Sequence, residues 1–274
     1  MSVNNFIPEL WSRRILETLQ KTSVYTSVCN RDYEGEIKGQ GDRVRITALG
    51  PVTVSDYTKN STTITPETLN DEQLTLEISQ AKYFAFQVDD VDRAQAGVDI
   101  MAAAMNDAAY RLRDAADQYI ASLYTEAGSI SSSVAINSQN ALAGLLTLAQ
   151  ALDERNVPTE GRWCIIPPWY KTKLVLAKVL VENTTNEAFD NGFVGRAAGF
   201  DLKVSNNVPA ATGTYRIMAG IPRAITYAEQ INKVEAYRLQ SRFADAVRGL
   251  HLYGAKVVLP DALAVLTCTI ASEP

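Results

Sequence analysis

Residues 41–79, GDRVRITALGPVTVSDYTKNSTTITPETLNDEQLTLEIS, give the clearest indication of the fold. Apolar side chains recur at every second position near both of its ends, at Val44, Ile46, Leu74, Leu76 and Ile78. A period of two places these side chains on one face of an extended chain. The stretch therefore predicts two β-strands, each with one apolar face, joined as a long hairpin.

The tip of this hairpin is polar, because residues 55–65 are rich in Ser, Thr and Asn and Pro66 closes the segment. A two-stranded hairpin is marginally stable alone in water, so its apolar face must rest on other parts of the chain or on another molecule. The loop is too long for an ordinary compact connection. We therefore expect the hairpin to reach another molecule and to contribute little to folding, with folding back onto its own domain as the alternative.

A long helix is predicted after the hairpin, from about Val98 to Ala127. Its apolar residues recur at steps of three and four: Met101, Met105, Ala108, Leu112, Ala115, Tyr119 and Leu123. Asp107–Arg111 and Arg113–Asp117 are spaced for i,i+4 ion pairs on its wetter faces. About thirty residues would span roughly 45 Å, which is typical of a strut across a flat molecule. A long core helix of a globular enzyme is the alternative.

The second half of the sequence mixes helices and strands. Helices are predicted at about 138–155 and from Pro167-Pro168 onward, with a short buried strand at Arg162–Ile166 between them. Further strands are predicted in the segments FDLKV, YRIMAG, RAITYAEQ, KVEAYRL, YGAKVVL and ALAVLTCTI. This order of elements predicts an α+β fold.

Composition and charge exclude several classes of protein. The chain has 274 residues, 46% of them hydrophobic, and a net charge of -5 without a long Lys/Arg run. These values are typical of a globular protein and count against one that grips nucleic acid strongly. The N-terminus lacks a signal peptide, and no apolar run approaches the roughly 18 residues of a membrane helix. Three widely spaced cysteines are expected to be reduced thiols in a cytoplasmic protein, with an intermolecular disulfide as the alternative.

Motifs that carry catalysis are missing from the sequence, and neither a catalytic, a cofactor nor a metal site is predicted. The single histidine, His251, lies in an apolar stretch and is expected to be structural. Asp89, Asp90 and Asp92 suit capping of the long helix better than binding a metal. A cytoplasmic α+β enzyme that uses only carboxylates stays open as an alternative function.

The order of these parts resembles the tailed-bacteriophage major capsid protein family, whose fold is shared by encapsulins and herpesvirus capsid floors. Similar local stretches occur in the same order along nearly the whole chain: FIPELWSRRIL (6–16), NRDYEGEIKGQGDRVRI (30–46), VPTEGRWCIIPP (157–168), RAAGFDLKVSNNVP (196–209) and AVRGLHLYGAKVVLPDALAVL (246–266). The resemblance implies five regions: an N-terminal arm at 1–34, an extended hairpin loop at 35–85, a spine helix with peripheral domain at 86–130, an apical domain at 131–255, and a return strand to the peripheral domain at 256–274.

The resemblance also implies hexamers and pentamers of the chain that form an icosahedral shell around double-stranded DNA, in a virion assembled in the host cytoplasm. An encapsulin-like compartment shell is the nearest alternative. The sequence shows no long N-terminal scaffolding segment, so we expect scaffold, portal and decoration proteins, where used, to be separate proteins. DNA would be enclosed without sequence-specific binding, and no membrane is involved.

Contacts between subunits are expected at two places, the N-terminal arm and the hairpin. For the short amphipathic helix predicted at residues 5–20 of the arm, docking on the chain's own core is the alternative. The apolar candidates are Trp11, Leu16, Val44, Ile46, Leu74 and Leu76, and the charged candidates are Arg13, Arg14, Arg43 and Arg45. Some members of the family cross-link a loop Lys to an Asn of a neighbour. Lys59 and Asn60 lie at the hairpin tip, but we expect Lys59 to be solvated and no covalent link to form.

Overall fold

The computed structural model describes residues 23–33, 43–49, 56, 59, 71–89, 100–177, 193–238 and 244–273. The strands are β1 (Arg43–Leu49), β2 (Asp71–Glu77), β3 (Gln80–Asp89), β4 (Ser129–Ile130), β5 (Val134–Ile136), β6 (Trp163–Ile166), β7 (Phe193–Ala197), β8 (Phe200–Val204), β9 (Ala210–Ala211), β10 (Thr214–Gly220), β11 (Ile225–Arg238), β12 (Ala244–Val257) and β13 (Leu263–Ile270). The helices are α1 (Ile100–Ser122), α2 (Ala141–Asp153) and α3 (Pro168–Leu176).

The predicted hairpin strands are confirmed as β1 and β2, which pair antiparallel. Val44 lies directly opposite Leu76, and Ile46 lies opposite Leu74, so the apolar residues of both strands share one face. The predicted polar tip lies outside the described residues except at Asp56 and Lys59, which are both exposed.

The apolar face of the hairpin packs on the chain's own three-stranded sheet, which has the order β11-β12-β3. Val44, Ile46, Leu76 and Ile78 form one buried cluster with Ala228 of β11 and Leu252 of β12. Val44 and Ile46 are only 4% and 7% exposed, and Leu76 is fully buried. The prediction that Val44, Ile46 and Leu76 bury their side chains on a neighbouring subunit is therefore wrong. The alternative, in which the hairpin folds back onto its own domain, is correct for the base of the hairpin. The sheet presents an apolar surface there, formed by Ala228 and Leu252.

The predicted long helix is confirmed as α1, which has 23 residues and continues into a 3-10 turn at Leu123–Glu126. Its apolar stripe packs on the three-stranded sheet, where Met101, Met105 and Leu112 meet Val234 and Val247. The Asp107–Arg111 pair forms at 2.8 Å, as predicted. Asp117, in contrast, is buried and does not lie on a wet face. Asp89 ends β3, whereas Asp90 and Asp92 lie outside the described residues.

The second half of the chain forms an eight-stranded mixed sheet with the order β4-β13-β10-β6-β8-β7, to which β5 and β9 add at the side. Helices α2 and α3 confirm the predicted helices, and the Tyr170 hydroxyl of α3 donates to the Ala141 carbonyl of α2 over 2.7 Å. All four residues of β6 are buried, as predicted for a short core strand. The large core cluster of the molecule surrounds this sheet.

The sheet pairing corrects the predicted division of the chain near residue 255. Strands β11 and β12 belong to the three-stranded sheet with β3, although they precede that boundary. Strand β13, which was predicted to return to the peripheral domain, instead pairs with β10, β4 and β5 inside the eight-stranded sheet. The two strand segments predicted at 223–230 and 233–239 are also a single strand, β11, with a bulge between Ile231 and Lys233. Strand partners follow hydrogen-bonding register in space, which chain order alone does not fix.

Candidate functional site: contact residues and two buried anchors

The predicted contact residues fall into three groups in the structure. Trp11, Arg13, Arg14 and Leu16 lie outside the described residues. Arg43, Arg45 and Lys59 are exposed, and Leu74 is partly buried beside the hairpin cluster. Val44, Ile46 and Leu76 belong to the core of the chain. The hairpin thus turns its apolar face inward and its arginines outward, as the period-two pattern requires.

Arg43 has a partner within its own hairpin. It lies opposite Glu77 in the strand register, and its Nη2 is 3.5 Å from Glu77 Oε1. Both side chains are more than half exposed, so this pair contributes only about 0–1 kcal/mol to stability. Arg43 is therefore only weakly held by Glu77.

A first buried anchor holds the segment 23–33, which is the last part of the predicted arm at 1–34. Asp117 of α1 accepts hydrogen bonds from the backbone N–H of Val24 at 3.0 Å and of Thr26 at 3.4 Å. Burial raises the pKa of Asp117 to about 6, although these backbone hydrogen bonds act in the opposite direction. Asp117 thereby fixes where the N-terminal part of the chain leaves the spine helix. The sequence pattern misassigned it to a surface ion pair, because helical spacing alone does not reveal which face another segment covers.

A second buried anchor joins the same segment to the three-stranded sheet. The Arg31 guanidinium pairs with Glu229 of β11, and Glu229 Oε2 also accepts a hydrogen bond from the Tyr227 hydroxyl at 2.7 Å. His251 Nε2 lies 3.1 Å from the same oxygen. Burial alone would raise the pKa of Glu229, but the hydrogen bond and charge of His251, together with Arg31 and Tyr227, hold it below its usual range.

This second anchor, Arg31–Tyr227–Glu229–His251, serves the fold. The side chains of Glu229 and His251 are almost completely shielded from solvent, so a substrate has no access to them. His251 is thus the buried structural histidine that the sequence predicts, and its Nδ1 has no hydrogen-bond partner within the described part of the chain. Sequence reasoning missed the anchor because Arg31 and Glu229 are 198 positions apart.

Metal ligands and thiols are the remaining chemical groups of interest within the described residues. No cluster of three or more His, Cys, Asp or Glu side chains suited to a metal ion occurs among them. The three cysteines are free and buried, and burial raises the pKa of the Cys29 and Cys164 thiols well above the usual value. Such thiols react slowly, and their free state agrees with the predicted reduced thiols. Among the helices of these residues, none has the length and apolarity needed to cross a membrane.

Comparison with known proteins identifies the family. A family model described as phage capsid protein matches residues 72–267, which is more than half of the chain. The chain belongs to the phage capsid protein family. A solved structure from Mycobacterium phage Che8 is 31% identical, with a TM-score of 0.75 over 97% of this chain and 98% of that chain. The comparison with curated proteins found no match.

More distant capsid structures share the fold of this phage capsid protein. The capsid of cyanophage P-SCSP1u is 17% identical, with a TM-score of 0.68 over 93% of this chain and 88% of that chain. A virus-like particle from Pyrococcus furiosus is 14% identical, with a TM-score of 0.61 over 95% of this chain and 99% of that chain. At these identities the likeness shows the fold alone.

These matches confirm the resemblance to tailed-phage major capsid proteins. The chain is a major capsid protein with an α+β capsid fold, and its location is the capsid of a virion. They favour this function over an encapsulin-like compartment, and the role of the chain is structural.

Proposed function

We propose that this major capsid protein assembles as hexamers and pentamers, which close into an icosahedral shell around the double-stranded DNA of a tailed phage. The observation that carries the proposal is the 31% identity to the Che8 structure along almost the whole of both chains. A structure described as the capsid of a native GTA particle computed with C5 symmetry has the same fold, at 12% identity and a TM-score of 0.58. Head-to-tail contacts that close into rings of different size are the geometric basis of such a shell.

The contacts that hold the shell are proposed at the residues that the chain leaves outside its own core. These are the exposed Arg43, Arg45 and Lys59 of the hairpin, together with Trp11, Arg13, Arg14 and Leu16 of the predicted arm. The two buried anchors support this distinction between residues that contact neighbours and residues that stabilise the subunit. They hold segment 23–33 on the subunit, so the part of the predicted arm before residue 23 is attached at a fixed position.

A shell can enclose DNA without binding it strongly. The net charge of -5 and the lack of a long basic run suit a container that DNA fills without sequence-specific contacts. Scaffolding, portal and decoration proteins are proposed to be separate chains that bind the assembled lattice or its precursor.

Expression of the chain, alone and with the scaffold of its phage, tests the proposal. Negative-stain electron microscopy and sedimentation should detect closed shells with five-fold vertices. Trp11→Ser combined with Leu16→Ser should abolish these shells while leaving the thermal midpoint of the free subunit unchanged. A wild-type protein that stays monomeric at high concentration, with scaffold supplied, would overturn the proposed function.

A further inference from the structure

The three-stranded sheet has one face against α1 and an opposite face that the hairpin covers only in part. Beyond the hairpin, Tyr83 of β3 and Leu250 of β12 lie directly opposite each other on this face. Tyr83 is 79% exposed, and Leu250 is also exposed. Two positions further along β12, Arg248 points the same way, and it lies opposite Glu235 of β11. We call Tyr83, Leu250, Arg248, Glu235 and the exposed Tyr237 the outer sheet face.

This face continues the strip that the hairpin already covers. Ala81 and Leu252 form the cross-strand pair next to Tyr83 and Leu250 on the same side of the sheet, and they pack against Val44 and its neighbours in the hairpin cluster. The hairpin of the same chain therefore covers the pair Ala81 and Leu252. It leaves the next pair exposed, although Tyr83 has a much larger side chain than Ala81.

The side chains of the outer sheet face have the composition of a binding surface. Tyr and Arg dominate the energetically important residues of protein interfaces. Arg248 is held in place, since its Nε donates to Glu235 Oε2 over 2.9 Å and its guanidinium lies 5.2 Å from the centre of the Tyr237 ring. A side chain ordered before binding loses less conformational entropy when a partner arrives.

We propose that the outer sheet face binds a second copy of this chain. The inference rests on the proposed function, because a shell subunit meets other copies of itself at every lattice position. The face offers both signs of charge, Arg248 and Glu235, beside the apolar pair Tyr83 and Leu250. This mixture suits a protein surface, whereas a phosphate backbone calls for a single positive sign. Strand β3 is also the edge of its sheet within the described residues, so its outer edge leaves room for a neighbouring chain.

Chemical nitration of tyrosines tests the proposal on the intact protein without any substitution. Tyr110 of α1 provides an internal reference, because it is a second highly exposed tyrosine on a different surface. In shells assembled from the purified chain, Tyr83 should become protected relative to free subunits, and Tyr110 should react as before. Nitration of Tyr83 at the same rate in both states would overturn the proposal, as would equal protection of the two tyrosines.

Matched variants provide the second measurement. Tyr83→Ser and Leu250→Ser should keep the thermal midpoint of the free subunit but lose shells and weaken self-association in sedimentation. Tyr110→Ser should assemble like the wild type. Unchanged self-association of Tyr83→Ser would refute the contact even if the wild type forms shells. Conversely, a wild type without shells whose smaller oligomers still depend on Tyr83 would count against the proposed shell and not against this face.

Discussion

The base of the hairpin is expected to stabilise the free subunit, and replacing Val44 and Ile46 together by Ser should show it. Both side chains are buried against Ala228 and Leu252 of the subunit's own sheet. Burying a Val or Ile side chain is worth about 1.5–3 kcal/mol, so the double replacement should cost roughly 3–6 kcal/mol. Typical folds are stable by only about 5–15 kcal/mol, so this loss is large.

The assay is thermal unfolding of the unassembled subunit, followed by circular dichroism. At about 2–4 °C per kcal/mol for a chain of this size, the midpoint should fall by roughly 6–24 °C. The matched control is Arg43→Ser with Arg45→Ser, because these residues lie on the same strand with exposed side chains. The control should change the midpoint by no more than a few degrees. If the Val44/Ile46 variant melts like the wild type, the hairpin does not pack on its own subunit and the reasoning is refuted.

Three further predictions concern other parts of the chain. Because the pKa of Asp117 in the folded chain, about 6, exceeds the ordinary 3.8, the folded chain binds this proton more tightly than the unfolded one. Relative to Asp117→Asn, the wild type should therefore gain up to about 3 kcal/mol as pH falls from above 6 to below 3.8. Denaturant titrations at the two pH values measure this gain, and parallel pH profiles would contradict it. Gly254→Ala places a Cβ 2.4 Å from the Glu77 carbonyl oxygen and should destabilise the subunit by about 1–3 kcal/mol. Urea unfolding measures this loss, and an unchanged midpoint would contradict the expected clash. Mature particles boiled with reductant should run as one monomer band, and a surviving ladder would mean that Lys59 or another group cross-links subunits.

Local pattern was enough to predict most of the elements. The period-two alternation at Val44–Ile46 and Leu74–Ile78 identified both hairpin strands, and the apolar stripe from Met101 to Leu123 identified the long helix. Pro167-Pro168 marked the start of a helix, since proline is tolerated in the first turn. These features depend on neighbours a few residues apart, so the sequence contains them directly. The order of the elements then resembled a capsid protein, and the family match confirmed it.

What each apolar face packs against could be seen only in the folded chain. The same alternation at Val44 and Ile46 is compatible with burial on a neighbour or on the chain's own sheet, and only the position of Leu252 next to them selected the second. Pairing of β13 inside the eight-stranded sheet, and of β11 and β12 with β3, likewise depends on register between segments far apart in the chain. Asp117 and Glu229 could not be recognised as anchors for the same physical reason. Their partners, Val24, Thr26 and Arg31, lie more than ninety positions away. The burial that raises the pKa of Asp117, and the buried partners that lower the pKa of Glu229, exist only once the chain has folded.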